Sequence, residues 1–143
     1  MAGITVAPLC PCCGYAGVTA KPLGSANKKY ADCCSRYLDD GKVAPTAEAL
    51  MRSRYTAYTL NREDYLLATW HHSTCPASLE LTSEPRKKWL GLEVKRHEQP
   101  ESNHALVEFV ARHKVNGRAH RLHEISRFVR EAGQWFYVDG DIV

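Results

Sequence analysis

Of the six cysteines in this 143-residue chain, five fall in two tight groups near the N-terminus, Cys10-Pro11-Cys12-Cys13 and Cys33-Cys34. Two close pairs of thiolates joined by a loop can close a tetrahedral site around a soft divalent ion, with metal–sulfur bonds of about 2.3 Å. Met1 to Leu9 has neither the basic nor the apolar region of a secretory signal, so the expected compartment is the cytoplasm. In that setting clustered cysteines point to a metal more than to disulfides. The expected ligands are Cys10, Cys12, Cys33 and Cys34, and the expected ion is zinc, with iron as the alternative. Pro11 and Gly14 would help the backbone turn tightly, and Lys21, Lys28 and Lys29 would offset the thiolate charge. Cys10 and Cys13 also have C-x-x-C spacing, so Cys13 stands as a spare thiol, a substitute for Cys12 or half of a redox pair. Four sulfurs leave no open coordination position, which makes such a metal architectural rather than catalytic.

The elements that must position these sulfurs divide the chain. Residues 1–42 carry few large apolar side chains and show no sustained period, so burial alone would not hold them together. Residues 43–143 have the texture of a compact domain. With 44% hydrophobic and 24% charged residues, the chain is too apolar for disorder. It nevertheless lacks the roughly 18-residue apolar run of a membrane span. Nineteen Lys and Arg against sixteen Asp and Glu leave a net charge of only +3, so nucleic acid is not an expected partner.

A helix is predicted from Pro45-Thr46, with Thr46 as N-cap and Ala47, Leu50, Met51, Tyr55, Ala57 and Tyr58 on one face. Arg54 falls inside that apolar arc, whereas Arg52 and Ser53 point elsewhere. A second short helix is predicted over Arg62–Trp70 with Asn61 as cap. Cys75 to Pro85 reads as an irregular connection or a short helix. Strands follow at Trp89–Val94, Val107–Arg112, Arg118 to about Arg130, and Gln134–Val138. Asn116-Gly117 signals a type I′ hairpin, and a second turn is expected near Ala132-Gly133. Helices first and an antiparallel meander after them make the class α+β.

A two-residue turn at Asn116-Gly117 pairs Val115 with Arg118, and the ladder then runs outward. Ala111 meets Leu122, Phe109 meets Glu124, Val107 meets Ser126 and Ala105 meets Phe128, all on one face. That face is apolar except for Glu124 and Ser126, and a carboxylate there needs a partner or a purpose. His113 and His120 face each other near the hairpin tip, where both are expected to be solvated. Cys75 is expected to be a buried or spare thiol.

Several of these segments carry a family resemblance. Cys10-Pro11-Cys12 with Lys28-Lys29-Tyr30-Ala31-Asp32-Cys33-Cys34 resembles the SEC-C zinc motif, here with a longer spacer and with Cys13 where glycine is usual. Leu50 to Tyr58, Asp64-Tyr65-Leu66, Thr69-Trp70-His71, Trp89 to Leu92, Val107 to Arg112, Glu124 to Phe128 and Gly133 to Gly140 resemble the YchJ family. His72 stands where proline would be expected after Trp70-His71. The resemblance covers residues 10 to 140. It implies an uncharacterised protein with a nuclear-transport-factor-two-like domain, in which helices pack into the concave face of a curved antiparallel sheet to form a cone, preceded by a zinc-stapled SEC-C module. It implies no established activity.

In such a cone Glu124 points inward, toward the helix that carries Arg54, and the two are expected to meet as a charge-assisted pair. Two function classes follow. The first is a non-catalytic adaptor whose SEC-C module binds another protein; by resemblance this would be a translocation- or ribosome-associated partner. The second is a small-molecule binder, or a small hydrolase- or isomerase-type enzyme. Its pocket would be lined by Arg54, Tyr55, Trp70, His71, Glu124 and Tyr137, with Glu124 or His71 as the acid/base group. A closed cone with Arg54 and Glu124 joined favours the adaptor; an open cavity with Glu124 unpaired favours the ligand site.

Overall fold

Thr46 opens the longest helix as its spacing predicts. Its backbone is extended, and its Oγ1 accepts a hydrogen bond from the Ala49 amide at 3.0 Å. In the computed structural model, which describes residues 9–13, 29–81 and 87–143, the helices are α1 (Ser35–Leu38), α2 (Ala47–Thr59) and α3 (Glu63–Ala68). The far end of α2 departs from expectation. Asn61 does not cap the next helix; it adopts φ +55° just past α2. The Arg62 amide reaches back to the Ala57 carbonyl (2.8 Å) and the Asn61 amide to that of Tyr58 (3.3 Å). This is a Schellman ending, and asparagine suits it because its short polar side chain tolerates the left-handed conformation.

The strands are β1 (Lys87–Glu101), β2 (His104–Val115), β3 (Arg118–Glu131) and β4 (Gln134–Ile142), in sheet order β1-β2-β3-β4 and all antiparallel. Asn116 and Gly117 both have positive φ, as a type I′ turn requires, and the ladder beyond them has the register derived above: Phe109 faces Glu124 and Val107 faces Ser126. Ala132 and Gly133 form a second such turn. A register shift in β3–β4 between Arg127 and Phe128 places Tyr137 beside Phe128 and Gly140 beside Ser126 on the same face. Residues 75–81 form an irregular connection, and the rest of that predicted stretch lies outside the described residues.

Helix α2 lies across the concave face, where Leu50, Met51 and Tyr55 pack with Leu92, Val94, Val107 and Phe128. Arg52, Ser53 and Thr56, which point away from that face, are buried as well. The cysteine-bearing turns cover that side of α2, and Cys10, Cys12, Cys33 and Cys34 belong to the same buried cluster as the sheet residues. Among the described residues, the segments before and after residue 43 therefore share one core. No helix among them is long and apolar enough to cross a membrane.

Candidate functional site

An antiparallel bridge between Leu9 and Lys29 brings the two cysteine segments together, each on a short 3₁₀ turn, Pro11–Cys13 and Tyr30–Asp32. The Sγ atoms of Cys10, Cys12, Cys33 and Cys34 all lie within 4.8 Å of one another, and all four residues are buried. Cys12 Sγ is 3.6 Å from those of both Cys33 and Cys34. A sulfur tetrahedron with bonds of about 2.3 Å has edges of about 3.8 Å, so the four fit one ion closely. Cys13 Sγ lies 3.8 Å from that of Cys12 but outside the group of four.

Polar groups surround these sulfurs, as an outer shell would surround a bound metal. Thr56 of α2 donates its hydroxyl to Cys34 Sγ at 3.2 Å and sits 3.6 Å from Cys10 Sγ. Arg52 reaches the Cys12 carbonyl at 2.9 Å while its Nε pairs with Glu48, and Arg36 holds the Cys33 carbonyl at 2.9 Å. These guanidinium groups bring the positive charge that the sequence reading assigned to lysines; of those, Lys21 and Lys28 lie outside the described residues. Crowding alone cannot ionise all four thiols. Hydrogen bonds from Cys12 and its neighbours pull the Cys10 thiol down. The reciprocal bonds to Cys10 push Cys12 and Cys34 up, and Cys33 up to about 11. A cation is what would hold four thiolates together.

On the other side of α2, between the helix and the sheet, lies a cavity of about 180 Å³ lined by Arg54, Tyr55, Tyr58, Trp89, Glu124 and Tyr137 among others. Glu124 sits in its wall. The hydroxyls of Ser126 and Tyr137 (3.3 Å) both donate to its Oε2, and its Oε1 accepts no hydrogen bond from the described residues. The expected ion pair is not formed. Arg54 turns instead to the end of α3, where one Nη donates to the Leu66 carbonyl and to Thr69 Oγ1, each at 2.7 Å. Its guanidinium lies over the rings of Trp70 (5.0 Å) and Tyr137 (4.6 Å). A cation is well placed against the free carbonyls of a helix C-terminus, and the aromatic faces hold it there.

Burial drives the ionisation of the side chains around the cavity away from the charged form. It lowers Arg54, and it raises Tyr58 and Tyr137, the latter also through the Glu124 charge. Tyr65, whose hydroxyl meets that of Ser53 at 2.7 Å, is raised from 10.0 to about 12 by burial. Because its folded value lies above the unfolded one, its share of stability is complete below pH 10.0 and is lost as pH rises through about 12. We expect a cooperative alkaline transition in which phenolate absorbance and loss of ellipticity coincide. Tyr65→Phe should move it to higher pH; an unmoved midpoint would exclude this tyrosine as its trigger.

A family profile described as "YchJ, middle NTF2-like domain" matches residues 46–140. This chain belongs to the YchJ family. A UPF0225 protein of Polaromonas sp. (strain JS666) is 58% identical over 135 residues, covering 92% of this chain and 91% of its own. One from Bordetella pertussis is 50% identical, covering 93% and 92%. Among solved structures, the solution structure of a SEC-C motif containing protein from Rhodopseudomonas palustris superposes with a TM-score of 0.75 at 31% identity, over 83% of this chain and 95% of that one. The crystal structure of a SEC-C motif containing protein from Psychrobacter arcticus gives 0.70 at 32%, over 94% and 82%.

In this YchJ-family chain the sequence-derived pocket residues separate. Arg54, Tyr55, Glu124 and Tyr137 line the cavity. Trp70 stands behind them, edge-on to Tyr137 at 5.0 Å. His71 faces away: its Nε2 is 2.8 Å from Glu131 and its Nδ1 is 2.6 Å from Ser73. The reason is local. Residues 69–71 pair with Tyr137 like an added strand, so adjacent side chains point to opposite faces. His113, expected to be solvated, is buried between Trp89 (5.1 Å) and His120 (5.3 Å). Cys75 is half-buried. Sequence reasoning missed Thr56, Arg52 and Arg36 around the thiols, and Tyr58 and Trp89 in the cavity. Only their helical or strand phase hinted at these roles.

Proposed function

We propose that this protein binds a small molecule in its cone, and that a structural zinc centre at Cys10, Cys12, Cys33 and Cys34 braces the cone from the other side of α2. The observation that carries the reading is the open cavity of about 180 Å³ in which Glu124 Oε1 accepts no hydrogen bond from the described residues and the carboxylate is not joined to Arg54. An adaptor using only its cysteine module would more naturally have that pair closed. The volume lies below the roughly 300–1,000 Å³ of drug-sized sites, so the ligand is small. Binding is favoured over catalysis because, among the described residues, neither a histidine nor a second carboxylate faces Glu124, and the Tyr137 hydroxyl at the cavity is engaged in donating to it. Zinc suits four buried thiolates; iron is the other ion that such ligands hold.

Amide chemical-shift mapping of the metal-loaded full chain tests the reading, using a panel of small aromatic and aliphatic acids, amines and amides. Shifts should gather around Glu124, Ser126 and Tyr137, and Ala111→Leu, which fills the cavity, should abolish them. A panel that leaves the cone resonances unmoved would refute it.

A further inference from the structure

Arg54 is only 5% exposed, yet no carboxylate lies within ion-pairing distance of it among the described residues. Buried charges are ordinarily paired with an opposite charge, whereas Arg54 is offset only by neutral oxygens and two ring faces. One nitrogen of the guanidinium is committed to Leu66 and Thr69. Its remaining N–H groups meet no acceptor among the described residues, and the side chain forms part of the cavity wall. Lys87 stands at the same cavity with its Nζ 5.7 Å from the centre of the Trp89 ring. Among the described lining residues, two formal cations, Arg54 and Lys87, stand against one carboxylate, Glu124, an excess of one positive charge.

We propose that the cone takes a small, flat organic monoanion that also carries a hydrogen-bond donor. Its carboxylate meets the free edge of Arg54, and its hydroxyl or N–H donates to Oε1 of Glu124. This rests on the reading of the cone as a ligand site and adds the chemistry of the ligand. A carboxylate against a buried guanidinium makes short, charge-assisted hydrogen bonds and supplies the anion that the described residues do not. A cationic ligand would add a positive charge to two already present, and a neutral one would leave Arg54 unpaired. The acceptor-only Oε1 requires a donor in return. The walls contributed by Tyr55, Tyr58, Phe109 and Phe128 favour a planar apolar body. The space, about 180 Å³, is enough for one substituted ring.

Three para-substituted phenols of different charge test this by calorimetry and shift mapping on the metal-loaded full chain: para-hydroxybenzoate, para-hydroxybenzamide and tyramine. The benzoate should bind at the cone at least about tenfold more tightly than the amide, with tyramine weakest. Arg54→Met should remove the preference for benzoate. Lys87→Glu, at an exposed position, should weaken benzoate about threefold or more while leaving the fold intact, so the charge argument stays testable if the Arg54 variant does not fold. Equal or tighter binding of amide or tyramine overturns the proposal while leaving the cone a ligand site. Absence of any cone shift with all three overturns it too, and the wider panel then decides whether the ligand reading falls with it.

Discussion

Replacing Cys33 and Cys34 together by serine is expected to abolish metal binding and to lower the unfolding midpoint of the whole chain, sheet included. The reach of the effect comes from α2. Thr56 touches two of the four sulfurs, Arg52 holds the Cys12 carbonyl, and the thiols pack in the same core as Leu50 and Leu92. Structural zinc contributes about 10–16 kcal/mol of apparent binding free energy in isolated zinc-finger peptides. If only about 3 kcal/mol of this is transmitted here, the midpoint should fall by about 10 °C in a chain of this size. Elemental analysis together with thermal denaturation followed by circular dichroism, with and without a chelator, reads both quantities. Cys13→Ser should keep its metal, because its sulfur lies outside the group of four. Unchanged metal content in the double variant would overturn the ligand assignment. Lost metal with an unchanged midpoint would overturn the bracing of the cone.

The second large effect is expected from a single methyl group at Gly140. A Cβ built there would stand 2.6 Å from Cδ and 2.8 Å from Cγ of Glu124, and in closer contact still with Oε2. Glycine is therefore needed for the close approach of the carboxylate to β4. Gly140→Ala should force Glu124 to swing away, breaking its hydrogen bonds from Ser126 and Tyr137. We expect a loss of about 1–3 kcal/mol in stability at this half-buried position, from overpacking and broken hydrogen bonds, and a loss of ligand binding in the cone. In a Glu124→Ala background the same substitution should cost almost nothing, since the obstructing side chain is gone. Denaturant unfolding of the four proteins gives the coupling energy directly. Additive costs would show that the strain at Gly140 lies in the backbone and that Glu124 is not held where the structure places it.

Much of this architecture follows from short-range chemistry. Asn116-Gly117 can adopt the positive φ values of a type I′ turn, and once it does, every cross-strand partner from Val115–Arg118 to Ala105–Phe128 is set. Thr46 caps α2 because its hydroxyl lies within reach of an amide three residues away. The legible signal weakens where both faces of an element meet similar surroundings. β1 runs on to Glu101 through Lys95, Arg96, His97, Glu98 and Gln99, a largely exposed polar stretch with no alternation to mark it, and pairs such as Arg96–Glu108 join it to β2. Asn61 was misread because a residue type that caps one helix also ends another, and only the backbone φ distinguishes the two roles.

The two cysteine groups near the N-terminus are legible in the sequence as four sulfurs suited to one ion. Ligand chemistry depends on residue type and number, which a sequence states outright. So is a carboxylate on an apolar sheet face, because strand phase is local. Only the tertiary structure decided that Cys12 rather than Cys13 joins the group of four, and that Thr56 and Arg52 of α2 complete its surroundings. It also parted Arg54 from Glu124. A long, flexible side chain settles wherever distant elements leave it the best partners, and the end of α3 and the faces of Trp70 and Tyr137 outcompeted a carboxylate already held by two hydroxyls. Those contacts join residues far apart in the chain, so no local pattern encodes them, and they are what leave the cone open.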